Sequence, residues 1–416
     1  MEKYNLAVVG GGFAGVCSAL AAAREGARVI IIEKGNCLGG AATNCLVTPF
    51  MPYWTEQDGK RLDLTGGIFE EIHHRLEMRS AIFYESFLEE ELKYILNEMI
   101  LEANIDLLFH SKLFEVKKAD GKITSVTLAT RGEKMKIEAD YFIDATGDAQ
   151  LAYLANCPTE QGRKEDSLCQ PMTLCFRLGN VDVDRFFESF EELKQAHKSS
   201  LEAGELINPR ENILVFKMPV KNVLHFNTTR VIKKDPVSAI SMTEAEIIGR
   251  QQVFEIYDFM KKHARGLENS FLMMTASEIG VRESRRIIGE YVLTENDCIN
   301  CVKFDDAIVA CNYDIDIHNP EGTGTSHHYF KSGEYYTIPY RSLIPKGADN
   351  MLVAGRCISS DHGAQASYRI MPTVSCIGQA AGTAISLAIK GGVGVREIDV
   401  SQLQRKLKSN GMFIGI

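Results

Sequence analysis

The chain has 416 residues, 45% of them hydrophobic and 24% charged, so it is long enough for two or three domains with a large core. Its 46 basic and 55 acidic residues give a net charge of −9, which argues against a nucleic-acid-binding protein or one attracted to anionic membranes. Eleven cysteines without a repeating spacing favour free thiols in a reducing compartment, so we expect a cytoplasmic protein.

The first predicted unit is a strand, a glycine turn, a helix and a second strand. An apolar run at 5–9 leads into Gly-Gly-Gly-Phe-Ala-Gly at 10–15, and a second apolar run at 27–32 ends on Glu33. Such a turn lets backbone and a helix N-terminus approach a pyrophosphate, and the acid binds a ribose hydroxyl. The unit predicts a dinucleotide site. The alternatives are a turn that binds nothing and a membrane span over 6–23, which its four glycines disfavour. With no basic region before the first run, we expect no signal peptide.

The next elements alternate between helices and short strands. Helical spacing of apolar residues predicts helices, and alternation interrupted by Asp-Gly and Arg-Gly predicts a β-meander followed by a strand with an acidic end. The predicted helices are 62–76, 83–103 and 148–156, and the predicted strands are 105–109, 112–118, 122–130, 133–139 and 139–144.

The middle of the chain changes character, and the last part returns to the first pattern. No second glycine fingerprint occurs after residue 161, and polar residues are frequent there, so we expect an inserted substrate-facing domain. The predicted strands are 172–178, 213–218 and 223–227, and the predicted helices are 183–197, 243–263, 374–389 and 401–408.

Three separated stretches together resemble the FAD-dependent oxidoreductases of the glutathione-reductase-like superfamily. They are residues 10–15 with Glu33, Asp-Ala-Thr-Gly-Asp at 144–148, and Val-Ala-Gly-Arg at 353–356 with its following helix. The strings at 280–291 and 338–345 are similar to a bacterial branch that is distantly related to fumarate reductase and succinate dehydrogenase flavoproteins.

The resemblance implies an α/β fold in several parts. A Rossmann-like FAD-binding domain with a parallel sheet and a β-meander would be formed by residues 1–160 and 333–400. An inserted α+β substrate domain would cover 161–332, and residues 401–416 would be a C-terminal cap.

The resemblance also implies one FAD. Covalently flavinylated relatives carry a histidine after the Gly-Gly pair, where this chain has Ala41, so we expect non-covalent binding. The adenine would lie near the backbone of 113–114. The flavin ring would lie near 39–42 and the start of the 374–389 helix, whose positive dipole end favours an anionic reduced flavin. The expected FAD-binding residues are Gly10, Gly12, Phe13, Ala14, Gly15, Glu33, Lys34, Gly40, Ala41, Ala42, Phe114, Ala145, Thr146, Gly147, Gly355, Arg356, Pro372 and Thr373.

Hydride transfer at flavin N5 is the chemistry that the resemblance implies, and three side chains are its candidate catalytic residues. Arg282 and Arg341 can bind a substrate carboxylate, and His318 can act as an acid or base. Each has a structural alternative, such as an ion pair for the arginines or a loop cap for His318. We interpret His225 as a core histidine. The histidine and cysteine spacings do not predict a metal site.

The predicted function is a flavin-dependent oxidoreductase of a small organic molecule. Without a dedicated NAD(P)H domain, it would use an external electron donor or acceptor, or bind NAD(P)H transiently. One alternative is a fumarate-reductase-like enoate reductase or the reverse dehydrogenase, and another is a non-catalytic flavin-binding protein that responds to redox state. We expect no nucleic-acid partner and no membrane span.

Overall fold

The computed structural model describes residues 3–416, in which a sheet of parallel and antiparallel strands is flanked by helices. The strands are β1 (Tyr4–Val9), β2 (Val29–Ile32), β3 (Trp54–Gln57), β4 (Lys60–Asp63), β5 (Ile82–Phe83), β6 (Ser86–Phe87), β7 (Asp106–Leu108), β8 (Lys112–Ala119), β9 (Lys122–Ala129), β10 (Lys134–Asp144), β11 (Thr159–Gln161), β12 (Phe176–Gly179), β13 (Val215–Lys217), β14 (Leu224–Phe226), β15 (Phe271–Thr275), β16 (Arg285–Ile287), β17 (Ala307–Cys311), β18 (Ile315–His318), β19 (Thr325–His328), β20 (Tyr336–Pro339) and β21 (Met351–Val353).

Helices alternate with these strands. They are α1 (Phe13–Arg24), α2 (Ala41–Asn44), α3 (Ile68–Met78), α4 (Glu89–Glu102), α5 (Gln150–Leu154), α6 (Val183–Glu188), α7 (Phe190–Glu202), α8 (Ala239–His263), α9 (Glu295–Ile299), α10 (His362–Tyr368), α11 (Met371–Gly391) and α12 (Val400–Ser409). A short 3-10 helix, Tyr340–Leu343, follows β20.

The main sheet combines a parallel part with an antiparallel meander. Its order is β7-β2-β1-β10-β9-β8, and β21 also pairs with β10. The pairs β7–β2, β2–β1, β1–β10 and β10–β21 are parallel, while β10–β9 and β9–β8 are antiparallel. The meander strand and the strand with the acidic end, predicted as separate segments, form one continuous strand, β10. Its first half pairs with β9 and its second half with β1 and β21.

Two helices that are far apart in sequence pack closely behind this sheet. A Cβ added to Gly378 of α11 would lie 2.2 Å from the carbonyl oxygen of Ala14 in α1, and one on Gly382 would lie 2.1 Å from that of Ser18. The Ser18 hydroxyl also donates to the Gly378 carbonyl at 2.9 Å. Glycine is needed at both positions because the two backbones touch.

Helix α11 is also the one helix, within residues 3–416, that is long and apolar enough to cross a membrane. Because 94% of its apolar window is buried inside the protein, its composition is explained by its place in the core.

A second buried core lies around a smaller sheet. The antiparallel order is β13-β14-β12-β15, and Phe176 stacks on Phe226 with ring centroids 5.0 Å apart. Buried residues of α8, including Val253 and Ile256, belong to the same apolar cluster.

Several predicted helix boundaries are wrong. Residues 62–63 belong to strand β4, and α3 begins only after Gly67, whose φ of +61° stops a helix from extending backwards. Residues 82–87 form a two-stranded hairpin before α4. The helix predicted over 183–197 is split into α6 and α7 at Ser189, whose hydroxyl bonds back to the carbonyls of Arg185 and Phe186.

Candidate active site

The glycine turn between β1 and α1 is shaped by contacts that exclude side chains. Gly10 has a φ of +108°, and a Cβ there would lie 2.3 Å from the carbonyl oxygen of Ala145. A Cβ on Gly15 would lie 1.9 Å from the carbonyl oxygen of Gly10. These two glycines are required by the fold itself, because they let β1, α1 and the end of β10 meet.

Gly12 is different, because within residues 3–416 a Cβ added there would approach only the Cα of Gly40, at 3.8 Å. Packing inside the protein therefore does not require glycine at this position. An open, side-chain-free backbone at the start of a helix is the surface on which a pyrophosphate binds. Phe13 and Ala14, which begin α1, are buried beneath it. The turn fits the pyrophosphate of a dinucleotide.

Glu33 lies at the end of β2 and is only 6% exposed. Its Oε2 accepts a hydrogen bond from the Gly11 amide at 2.6 Å, and its Oε1 accepts one from the Gly35 amide at 2.7 Å. These bonds hold the carboxylate at the turn, where each oxygen keeps lone pairs for ribose hydroxyls. The neighbouring Lys34 pairs with Glu278 at 3.2 Å.

The segment after β10 forms the opposite side of the turn. Asp144 is fully buried, and its carboxylate accepts hydrogen bonds from the amide and hydroxyl of Thr146 and from the Ala152 amide. Burial raises the pKa of Asp144 above its usual value. This acid therefore fixes Ala145, Thr146 and Gly147 beside Gly10.

Arg356, which follows Gly355 after β21, closes this side. Its guanidinium donates to Asp148 at 2.7 Å and lies 3.1 Å from where a Cβ of Gly147 would be. Burial opposes ionisation of Arg356, but Asp148 outweighs it and raises the arginine pKa. Its buried Nε has no hydrogen-bond partner within residues 3–416. A free cationic donor at the glycine turn fits the phosphates of a dinucleotide.

Two helix starts lie near the same turn. Gly40 approaches Gly12 and precedes Ala41 and Ala42 at the start of α2, and Gly39 forms a parallel bridge with Gly12. Pro372 and Thr373 lie in the first turn of α11, just before the contact of Gly378 with Ala14. The structure therefore brings both helix starts to the region of the glycine turn.

Phe114 stands apart from this group. Its side chain is 52% exposed on β8, and the Lys134 ammonium lies 4.4 Å from the centroid of its ring. The start of this region is nevertheless close to Glu33, because the Ser111 amide donates to the Glu33 carbonyl at 3.0 Å. An adenine placed here would contact the backbone near Ser111 rather than the Phe114 ring.

Four arginines surround Asp316 near the start of α11, and we call them the arginine cluster: Arg210, Arg230, Arg282 and Arg369. Arg369 directly precedes α11 and lies 3.6 Å from Oδ2 of Asp316. Burial, followed by repulsion from Arg210 and Arg369, lowers the pKa of Arg282 to about 9. Burial and the nearby Arg210 lower the pKa of Arg230 to about 10. The positive charge of these guanidinium groups therefore exceeds the negative charge of the carboxylates beside them.

His318, the predicted acid–base residue, lies inside this cluster with both ring nitrogens engaged. Its Nε2 is 3.2 Å from Oδ2 of Asp316, and its Nδ1 is 3.0 Å from Nη2 of Arg230. Burial and repulsion by Arg282 lower the pKa of His318 well below its usual value. Although burial opposes it, the bond from His318 holds the pKa of Asp316 well below its usual range. His318 is therefore neutral and ties Arg230 to Asp316.

Arg341 is not brought into the arginine cluster. It lies after β20, half exposed, with its guanidinium 2.9 Å from Asp306 and 5.2 Å from the centroid of the Tyr291 ring. Sequence reasoning assigned only Arg282 of the four clustered arginines. Arg210, Arg230 and Arg369 come from separate loops, and no local motif distinguishes them. In the part of the chain described, no group of three histidine, cysteine or acidic side chains is arranged to hold a metal.

Comparisons with solved structures give similar folds at low identity. A geranylgeranyl bacteriochlorophyll reductase-like protein from Thermoplasma acidophilum is 14% identical over 98% of this chain and 83% of its own, with a TM-score of 0.45. The p-nitrophenol 4-monooxygenase PnpA from Pseudomonas putida DLL-E4 is 11% identical over 99% and 89%, with a TM-score of 0.47. A flavoprotein/dehydrogenase from Cytophaga hutchinsonii is 12% identical over 98% and 84%, with a TM-score of 0.46. TM-scores this low do not indicate a shared function.

A comparison with curated proteins found no match. A family model, described as FAD dependent oxidoreductase, matches residues 5–407, nearly the whole chain. Its cofactor is the dinucleotide that the glycine turn, Glu33 and Arg356 fit. The chain therefore belongs to the FAD-dependent oxidoreductase family and is an FAD-dependent enzyme.

Proposed function

We propose that this enzyme transfers a hydride between the flavin N5 and a small organic acid. The arginine cluster beside the start of α11 is the observation that carries the proposal, because its four largely buried guanidinium groups outnumber the neighbouring carboxylates of Asp316, Glu211 and Asp314. Burying unbalanced charge is costly unless a partner of opposite sign is bound. A carboxylate substrate supplies that partner.

The proposed roles follow from the contacts of each residue. Arg282 is held by bonds to the Pro171 carbonyl and the Thr173 hydroxyl, each 2.6 Å long, and it binds the carboxylate with its remaining donors. Arg369 binds the same carboxylate from its position just before α11. His318 is a positioning residue, because its two ring nitrogens hold Arg230 and Asp316 in place.

The cofactor would be held by groups that keep free valences for a ligand. Gly12 and the Nε of Arg356 would hold the pyrophosphate, and the Glu33 carboxylate would hold the ribose. FAD supplies two-electron chemistry when bound. We propose that it is bound non-covalently, since Ala41 offers no nucleophile at the position after Gly-Gly.

We also infer the domain division and the wider relationship. The proposed domains are an FAD-binding domain of residues 1–160 and 333–400, an α+β substrate domain of 161–332 and a cap of 401–416. The second buried core, which apart from Leu46 lies within 172–279, supports a separate substrate domain, whereas buried apolar residues at 287–315 and 403–414 belong to the first core. A distant relationship to the glutathione-reductase-like superfamily, and to fumarate reductase within it, accords with the chemistry proposed here. A single glycine fingerprint makes an external electron donor or acceptor part of the proposal.

The test is anaerobic mixing of the FAD-loaded protein with organic acids and with their neutral methyl esters. Photoreduced protein is offered enoates, and oxidised protein is offered saturated and hydroxylated acids. The proposal predicts a change of the flavin absorbance near ~450 nm with an acid but not with its ester. Equal reaction of esters and acids would remove the role of the arginine cluster. Flavin that binds but never changes redox state would favour the non-catalytic alternative, and reaction only in the reduced form would favour an enoate reductase.

A further inference from the structure

The arginine cluster and its two acids, Asp316 and Glu211, contain five buried polar atoms that have no hydrogen-bond partner within residues 3–416. Three are donors: Nη1 of Arg210, Nε of Arg230 and Nε of Arg369. The other two are acceptors: Oε2 of Glu211, which lies 3.1 Å from Nη2 of Arg230 in an ion pair, and Oδ1 of Asp316. A buried polar atom left without a partner costs about 1–3 kcal/mol, so native proteins rarely leave several together. Because Glu211 is already paired with Arg230, the three donors and Oδ1 of Asp316 describe the ligand that completes the site.

The two oxygens of the Asp316 carboxylate have different surroundings. Oδ2 already faces the ring of His318 at 3.2 Å and the guanidinium of Arg369 at 3.6 Å. Oδ1 has no hydrogen-bond partner within residues 3–416, and the partly exposed ring of His327 lies 3.7 Å away, beyond hydrogen-bond distance. Because the low pKa of Asp316 keeps it ionised, Oδ1 needs a donor from the ligand.

The charge of the site decides whether the ligand donates to Oδ1 from an ammonium group or from a hydroxyl group. Four guanidinium groups face the carboxylates of Asp316 and Glu211, and Asp314 interacts with Asp316, so the net charge of the site is +2 without Asp314 and +1 with Asp314 ionised. An ammonium group would be repelled by the arginines, whereas a hydroxyl is neutral. We infer that the site takes a 2-hydroxy acid, with its carboxylate on the arginine cluster and its hydroxyl donating to Oδ1 of Asp316.

This inference rests on the proposed function and gives it a substrate class and a direction. Oxidation of a 2-hydroxy acid removes the C–H hydrogen as a hydride with both electrons, and FAD is the acceptor. The O–H hydrogen leaves as a proton along the bond to Asp316, and the product is the 2-oxo acid. Asp316 does not keep this proton, because its pKa is low, and releases it to solvent.

The experiment measures binding, so that it does not depend on turnover. The full-length, FAD-loaded protein is photoreduced under anaerobic conditions, which prevents oxidation of a hydroxy acid, and is titrated by calorimetry. The probes are lactate with propionate, and malate with succinate, so that each hydroxy acid has a matched acid without the hydroxyl. Alanine and aspartate test the ammonium alternative. We expect each hydroxy acid, in one enantiomer, to bind at least tenfold more tightly than its partner, and the amino acids to bind more weakly than either.

Asp316→Asn tests the residue, and Asp306→Asn, which lies beside Arg341 outside the cluster, is the matched control. Asp316→Asn should reduce the preference for the hydroxyl to less than threefold without weakening propionate, because it removes negative charge from the site. Asp306→Asn should leave the preference unchanged. If Asp316→Asn does not fold, the relative affinities of hydroxy acids and plain acids for the wild-type protein still test the inference.

Equal binding of hydroxy and plain acids, or tighter binding of amino acids, would overturn this inference while the proposed function stands. If no acid of any kind binds, the proposed function fails as well.

Discussion

Nε2 of His318 lies 3.2 Å from Oδ2 of Asp316, while its Nδ1 lies 3.0 Å from Nη2 of Arg230. Arginine is only a donor and the carboxylate only an acceptor, so the ring must carry its proton on Nε2 and accept at Nδ1. The histidine thereby joins a cation to an anion while remaining neutral. A side chain that looks like a catalytic base in the sequence has instead the contacts of a structural link.

This arrangement predicts the protonation state of His318. Because its pKa is held well below the usual value, the ring should stay in the neutral Nε2–H form at pH 5.5. Nitrogen-15 NMR of histidine-labelled protein, with the His318→Gln variant for assignment, measures this directly. A His318 signal that becomes an imidazolium near pH 6.5 would show that the ring is free to titrate.

Gly12 should be needed for FAD and not for the fold. A Cβ at this position meets no close atom of residues 3–416, so Gly12→Ala should leave the melting temperature of the apoprotein nearly unchanged. The same methyl group would occupy the approach to the pyrophosphate, and we expect the Kd for FAD to rise at least tenfold, about 1.4 kcal/mol.

The control for Gly12 is Gly132→Ala, because a Cβ added at Gly132 has no described atom within 4 Å and this position lies on the meander. Gly132→Ala should change neither the melting temperature of the apoprotein nor the Kd for FAD. Fluorescence titration of FAD gives the affinity, and unchanged affinity in Gly12→Ala would mean that the pyrophosphate lies elsewhere.

Arg282 and Arg341 should behave differently, although the sequence suggests the same role for both. Arg282→Gln removes a donor from the arginine cluster, and we expect the affinity for an organic acid to fall by about 2 kcal/mol, or roughly thirtyfold. Arg341→Gln breaks an exposed pair with Asp306, which contributes about 0–1 kcal/mol to stability, and should leave acid binding within twofold.

Calorimetric titration of the two arginine variants tests this difference. FAD content and melting temperature must be measured alongside, because Arg282 also bonds to the Pro171 carbonyl. Loss of acid binding in Arg341→Gln alone would reverse the assignment.

His225 should make the fold sensitive to acid. It is fully buried in β14, neither ring nitrogen has a hydrogen-bond partner within residues 3–416, and burial together with the nearby Arg177 lowers its pKa to about 3. Below pH 6.5 the unfolded chain binds a proton that the folded chain does not. Stability is therefore lost as the pH falls, by roughly 1.4 kcal/mol per unit, until about pH 3.

His225→Leu should remove this part of the pH dependence. Measured by urea unfolding between pH 7 and 4.5, the wild-type protein should lose about 2–3 kcal/mol relative to the variant. His74→Leu, at an exposed position, is the control. Parallel stability curves for wild type and His225→Leu would mean that the buried ring finds a partner when protonated.

The parts of the site that were predictable from the sequence are those built by local backbone. Gly10 and Gly15 must be glycine because a strand, a helix and a neighbouring strand end meet there, so these two residues and their spacing carry the signal. Asp144 is similar, because its carboxylate caps the turn that directly follows it. The arginine cluster had no such signal, since its members lie far apart in sequence and meet only through folding. The continuity of β10 was also missed, because its change of partners leaves no mark in the pattern.

A crystal structure of the FAD-loaded protein with a bound organic acid would test the central claim most directly. We predict that the carboxylate of the acid lies within about 3 Å of Arg282 and Arg369. The acid should lie between the arginine cluster and a flavin ring at the start of α11. An acid bound away from these arginines, or a flavin ring that does not face Asp316, would contradict it.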